Sequence, residues 1–122
     1  MPEDADDEAR RHLAALAGGP ADPDTPAQRL AQDAALVGRM LAAADTHRAP
    51  EDEAAVAAAL ALLAGLRLSL DRLEAGVVLE ARRCGMDWRQ IAARQGLNSS
   101  QAASQRYQRL VTRLEEIRQG VR

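Results

Sequence analysis

The stretch from Pro50 to Cys84 contains no pattern that would stop a helix, and this constrains the fold more than any other feature of the chain. Pro50 fits a first helical turn, and the three acids that follow it would stabilise the positive end of the helix dipole. Two internal glycines weaken the helix by about 1 kcal/mol each relative to alanine, without ending it. The sequence therefore predicts one helix about 50 Å long at 1.5 Å per residue, closed by Gly85.

A helix this apolar needs a partner. Leu63, Leu66, Leu70, Leu73 and Val77 recur at spacings of three and four, which is typical of a seam between packed helices. The partner is either the preceding helix folded back, a second copy of the chain, or both. Dimerisation is therefore one of these alternatives, and we expect the protein to form a homodimer.

Two further helices are expected before the long one. Residues 3–17 read as an acidic helix, followed by the proline-rich linker "GGPADPDTP". Thr25 and Pro26 suit the N-cap and first position of a helix over 26–47. Its apolar residues form a predicted stripe, with Met40 beside it: Leu30, Ala34, Val37, Leu41 and Ala44.

Composition supports an all-α fold. Trp88 and Tyr107 are the only Trp, Tyr or Phe residues in 122, and alanine, the best helix former, is abundant. The predicted architecture is a helical hairpin or bundle whose long central helix leads into a C-terminal helix-turn-helix. We divide it into an acidic helix and linker (1–25), a helical segment that is a candidate for dimerisation (26–65), and a C-terminal helical domain (66–122).

The predicted location is the cytoplasm. The single Cys84 permits no disulfide within the chain, and "MPEDADDEAR" lacks the basic and apolar regions of a signal peptide. The longest apolar run, "AAVAAALALLAGL", has 13 residues, fewer than a bilayer span requires. We therefore expect no membrane contact.

The charge is divided unevenly along the chain. Residues 1–65 hold 5 Arg against 12 acids, and residues 66–122 hold 11 Arg against 6 acids. Between residues 82 and 113 there are seven Arg and one acid, Asp87. Such a cluster favours an acidic partner over a solvated helix face, which would usually mix the two signs.

The segment "DWRQIAARQGLNSSQAASQRYQRL" predicts two helices joined by a tight turn. Asp87 and Gln90 are spaced for a capping box, and Gly96 stands where a left-handed residue would turn the chain. Leu97 would pack between the two helices, and Asn98 or Ser99 would cap the second. On the first helix, Trp88, Ile91 and Ala92 are predicted to face inward.

The second helix of this segment has two distinct faces. A predicted buried stripe repeats at spacings of four and three: Ala103, Tyr107, Leu110, Leu114 and Ile117. Away from it stand Ser and Gln residues, with Arg residues alongside. Amides and hydroxyls suit base edges, and guanidinium groups suit guanine or phosphate.

The segment resembles the helix-turn-helix of small actinobacterial DNA-binding proteins and, more distantly, the region of sigma factors that reads the −35 promoter element. The resembling pattern comprises Trp88, Ile91-Ala92, Gly96-Leu97, Ser99, Gln101-Ala102-Ala103 and Gln105-Arg106-Tyr107. The resemblance covers about residues 66–118, including "LDRLEAGVVLEARRCG" as a first helix. The turn "GLNSS" is one residue longer than the tightest version of the motif.

The resemblance implies that helix 98–118 is a recognition helix for double-stranded DNA. The implied base contacts are Ser100, Gln101, Ser104, Gln105 and Gln108. The implied phosphate contacts are Arg82, Arg83, Arg89, Arg94, Ser99, Arg106, Arg109 and Arg113. Such domains serve in transcriptional regulators, nucleoid-associated proteins and sigma-like factors, and a regulator or a nucleoid-associated protein is expected here. The resemblance therefore makes residues 66–122 the predicted DNA-binding domain and the nucleoid the predicted location.

Other classes of function find less support in the sequence. His12, His47 and Cys84 match no metal-ligand spacing, and no catalytic triad, phosphate loop or carboxylate pair stands out. We expect no enzyme, no metal and no cofactor. The alternatives left open are a protein-interaction module that binds RNA polymerase or a sigma factor, and a ring-forming phage packaging protein with the same motif.

Overall fold

Five helices form the structure, a computed structural model that describes residues 2–16, 25–46 and 52–120, with the side chains described from residue 5. They are α1 (Pro2–Leu16), α2 (Pro26–Asp45), α3 (Glu53–Arg83), α4 (Trp88–Gln95) and α5 (Ser100–Arg118). No strand occurs in these three ranges. The prediction of an all-α fold is confirmed.

The long helix α3 is continuous. Asp52 Oδ1 caps it by accepting hydrogen bonds from the Ala54 and Ala55 amides at 3.0 and 3.3 Å, and Gly65 and Gly76 do not interrupt it. The predicted start at Pro50 lies outside the described residues. Because α3 runs through residue 65, the predicted second and third segments of the chain share one helix.

Helix α2 begins as predicted, but its packing face is rotated. Thr25 Oγ1 caps it by accepting from the Gln28 amide at 3.2 Å. The predicted stripe is wrong at three of its five positions, since Ala34, Leu41 and Ala44 are exposed, Leu41 by 57%. Met40, placed beside the stripe, is half-buried. The half-buried positions recur every three to four residues: Leu30, Asp33, Val37, Met40 and Ala43. A face that includes Asp33 was missed because the prediction followed apolar side chains alone.

Two packed regions meet along α3. Helix α2 packs on the first part of α3, where Ala59 is buried and Leu62, Leu63 and Leu66 are half-buried. Helices α4 and α5 pack on its last part. There Val78 joins Ile91, Ala92 and Ala103 in a buried cluster, against which five partly buried hydrophobic residues also pack: Ala81, Met86, Trp88, Leu97 and Tyr107.

Much of the apolar surface of α3 is not covered. By length and composition alone, α3 could cross a membrane, since an 18-residue window has a mean hydropathy of 1.7. Only 6% of that window is buried. The 13-residue run on which the expectation of no membrane contact rested therefore lies within a 31-residue helix. A core helix of a bundle passes the same test, but such a helix is normally buried.

Candidate nucleic-acid interface

The turn between α4 and α5 is built from local signals. Asp87 Oδ1 accepts from the Gln90 amide at 2.8 Å, and Gln90 Oε1 accepts from the Asp87 amide at 2.8 Å. At the other end of α4, Gly96 has φ +71°, and the Leu97 amide donates to the Ala92 carbonyl at 2.9 Å. The predicted capping box and left-handed glycine are both confirmed, so both ends of α4 are fixed.

Ser99 begins α5. Its Oγ accepts a hydrogen bond from the Ala102 amide at 3.1 Å, so Ser99 and not Asn98 is the N-cap. The hydroxyl oxygen of Ser99 is therefore engaged within the chain. A phosphate near the helix start would meet the hydroxyl proton of Ser99 and the amides of the first turn.

Small side chains bring α4 and α5 together. Ala92 is 3% exposed and Ala103 is 1% exposed, so the two helices approach closely where they cross. Trp88 and Tyr107 pack beside this contact, with ring centroids 5.8 Å apart and planes tilted by 43°. The predicted inward face of α4 and most of the α5 stripe are confirmed. Ile117 is the exception at 41% exposed, because it lies near the end of α5.

The opposite face of α5 is polar and open. Gln101, Gln105 and Gln108 are exposed and recur at spacings of four and three, so their amides line one side of the helix. Ser100 is exposed at the helix start, and Ser104 is half-buried on the flank. Thr112 continues the row one turn further and was not among the predicted site residues. Of the five predicted base contacts, Ser104 is the least accessible.

Two of the predicted phosphate contacts instead join α5 to α3. Arg106 donates to Glu74 from Nε at 2.5 Å and from Nη2 at 2.8 Å, and Arg113 forms an ion pair with Asp71. The hydrogen bonds to Glu74, together with its negative charge, raise the pKa of the Arg106 guanidinium. Both pairs link α5 to α3. The sequence contained one signal for these pairs. Two acids stand three positions apart on the apolar α3, and two arginines stand seven positions apart beside the buried stripe of α5.

Arg82 and Arg83 lie at the end of α3, next to the turn. Arg82 Nη1 donates to the Met86 carbonyl at 3.0 Å, and its guanidinium lies 5.1 Å from the Trp88 ring centroid. Arg83 pairs with Glu80 at 3.2 Å, in a contact where both side chains are more than 60% exposed. An exposed pair of this kind contributes little to stability.

Arg89, Arg94 and Arg109 differ from the other arginines of this region. All three are exposed, and none forms an ion pair with any residue in the described ranges. Arg89 and Arg94 lie on α4, and Arg109 lies on α5 beside Gln105 and Gln108 around a shallow depression. Their positive charge is therefore available to a partner outside the chain.

Acids limit the polar face toward the end of α5. Arg118 donates to Glu115 from Nε at 3.1 Å and from Nη2 at 2.5 Å, and the Gln119 amide also donates to this carboxyl. The hydrogen bond from Arg118 lowers the pKa of the Glu115 carboxyl. With Glu116 also exposed, the end of α5 would repel phosphate, so the candidate interface comprises residues 100–112 of α5 together with α4.

Comparison of the chain with protein-family models, with curated proteins and with solved structures found no match.

Proposed function

We propose that this protein binds double-stranded DNA by placing the first three turns of α5 in the major groove. One observation carries the proposal: Gln101, Gln105 and Gln108 form an exposed amide row on a helix whose other face is held by buried Ala103 and Leu110. A rigid helix that presents amides to solvent suits base edges, because glutamine can bond adenine through two atoms at once.

The arginines divide into two groups by what they contact. Arg89, Arg94 and Arg109 flank the amide row without ion pairs, and Arg82 keeps part of its guanidinium exposed. We assign these four to phosphates, which fix position without reading sequence. Arg106 is set aside from the DNA contacts because Glu74 already holds it. Arg113 is set aside for the same reason, since it pairs with Asp71.

The proposed role is that of a transcriptional regulator or a nucleoid-associated protein. If the protein acts as a homodimer, two α5 helices would enter successive major grooves about 34 Å apart, or a multiple of this distance. A preferred site would then consist of two inverted half-sites. A nucleoid-associated role would instead show weak sequence preference with the same dependence on phosphate contacts.

Selection of bound sequences from a random duplex pool tests the proposal, followed by affinity measurements on the enriched and on unrelated duplexes. Gln101→Ala should reduce the preference for the enriched duplex, and Arg109→Ala should weaken binding to all duplexes alike. The matched controls, Gln119→Ala and Arg118→Ala, lie beyond the interface on α5 and should bind as the parent does. If Gln101→Ala and Arg109→Ala change binding in the same way, the division into base-contacting and phosphate-contacting residues is wrong.

The alternative function is that of a protein-interaction module whose basic face meets an acidic surface of RNA polymerase or a sigma factor. Between residues 100 and 112 of α5, Val111 is the one exposed large apolar side chain, whereas protein interfaces favour several aromatic and aliphatic anchors, which makes this alternative weaker. Failure of the folded protein to bind any duplex at low salt, together with binding to polymerase, would favour the alternative.

A further inference from the structure

The leucine seam of α3 is covered along only part of its length. Leu63 and Leu66 are half-buried, but further along the same face Leu70 is 58% exposed, Leu73 is 41% exposed and Val77 is 68% exposed. Helix α2 has 20 residues, or about 30 Å, and α3 has 31 residues, or about 46 Å, so α2 alone cannot cover the whole of α3.

A groove of 1190 Å³ lies along this uncovered part. Its floor is apolar and includes Val78, Ile91 and Leu97 beside the exposed seam residues. Helix α1 borders the groove through His12 and Leu13. The seam residues have the exposures given above even with α1 in this position. Leu13 is itself 64% exposed, so α1 leaves the groove open.

The apolar exposure on the seam is unusual for a monomer. Leu70, Leu73 and Val77 are 41–68% exposed, and only 6% of an 18-residue apolar stretch of α3 is buried. Monomeric soluble proteins rarely expose contiguous apolar patches of more than a few hundred Å², and larger patches mark interaction sites. Stable homodimer interfaces are among the more hydrophobic interfaces and remove about 1000–2500 Å² from each subunit.

We infer that a second copy of this chain covers the seam end, defined here as Leu70, Leu73 and Val77, and the groove beside it. The contact is isologous, since the same apolar face would be presented by both copies. It leaves the amide row of α5 open, because none of its three glutamines lines the groove. Of the four arginines proposed to hold phosphates, only Arg94 borders it. The inference does not depend on DNA binding.

The first test is the mass of the full chain in solution without DNA, measured by sedimentation across a range of concentrations. We expect a species of twice 13.1 kDa that dissociates on dilution. The double variant Leu73→Glu with Val77→Glu should weaken self-association roughly a hundredfold, because two apolar contacts would become buried charges. Since both side chains are exposed in the single chain, circular dichroism should show unchanged helicity.

The matched control carries the same charge change on α2. Leu36 and Leu41 are 47% and 57% exposed and lie outside the groove, so Leu36→Glu with Leu41→Glu should leave the dimer intact. A monomeric parent chain at all concentrations overturns the inference. So does a dimer that the α2 variant dissociates as strongly as the α3 variant.

A second measurement identifies the occupant. One copy, without ¹⁵N, carries a nitroxide on Cys84, the exposed single cysteine at the end of α3. It is mixed with a ¹⁵N-labelled copy in which Cys84→Ser prevents attachment of the nitroxide. Broadening of the labelled amides over residues 70–81 is the expected result. If these amides keep their intensity in the mixed sample, no second copy covers the groove and the inference is wrong. Protection of the region only on adding phospholipid vesicles would assign it to a membrane and overturn the inference.

Discussion

Removing the Glu74 carboxylate should loosen the attachment of α5 to α3. Glu74 accepts two hydrogen bonds from Arg106, at 2.5 and 2.8 Å, and one from Gln95 Nε2 at 3.3 Å, so a single side chain on α3 joins α4 and α5. A buried hydrogen bond to a charged group contributes about 1.5–3 kcal/mol. Here the Glu74 side chain is 21% exposed and that of Arg106 is 46% exposed, so solvent screens the pair. We expect Glu74→Ala to lower the free energy of unfolding by about 1 kcal/mol.

The control is Glu80→Ala, which makes the same substitution on the same helix. Its ion pair with Arg83 is exposed on both sides, so the expected loss is below about 0.5 kcal/mol. The assay is thermal unfolding followed by circular dichroism, where Glu74→Ala should melt about 2–4 °C below the control. Equal melting temperatures for the two variants would refute the reasoning that Glu74 joins these helices.

Two further predictions concern the packing beneath the candidate interface, each measured by chemical unfolding. Gly96→Ala should lower the free energy of unfolding by about 1–2 kcal/mol because φ at Gly96 is +71°. Gly76→Ala inside α3 should raise it by up to about 1 kcal/mol. The opposite ranking of the two variants would contradict a left-handed turn at Gly96. Ala103→Leu should cost about 1–3 kcal/mol because Ala103 is 1% exposed, and Ala93→Leu on the exposed side of α4 should cost less than about 0.5 kcal/mol; similar losses would mean that the two helices do not approach closely there.

The sequence predicted those features of the fold whose signals are local. The capping box of Asp87 and Gln90, the left-handed Gly96 and the start of α2 at Thr25 each depend on residues within a few positions of one another. Burial of Ala103 and Leu110 followed from a regular apolar spacing on one helix. Interactions between residues close in sequence determine such features, with little influence from the rest of the chain.

Features that depend on the relative position of two helices could not be predicted in this way. The rotation of α2, which turns Asp33 toward α3 in place of a more apolar neighbour, is set by how the two surfaces fit. The capture of Arg106 by Glu74 joins residues 32 positions apart. Charge alone made Arg106 and Arg109 look equivalent, and only packing shows that one is held and the other is open to a partner.

The salt dependence of duplex binding tests the central claim most directly. If Arg82, Arg89, Arg94 and Arg109 each neutralise one phosphate, the slope of log K against log salt should be about −3.6 per protomer. Fluorescence anisotropy of a labelled duplex, titrated with the full chain between dilute and physiological salt, measures this slope. A slope near this value is the predicted result. If the folded protein does not bind duplex DNA in dilute buffer, or if its affinity does not change with salt concentration, the account is contradicted.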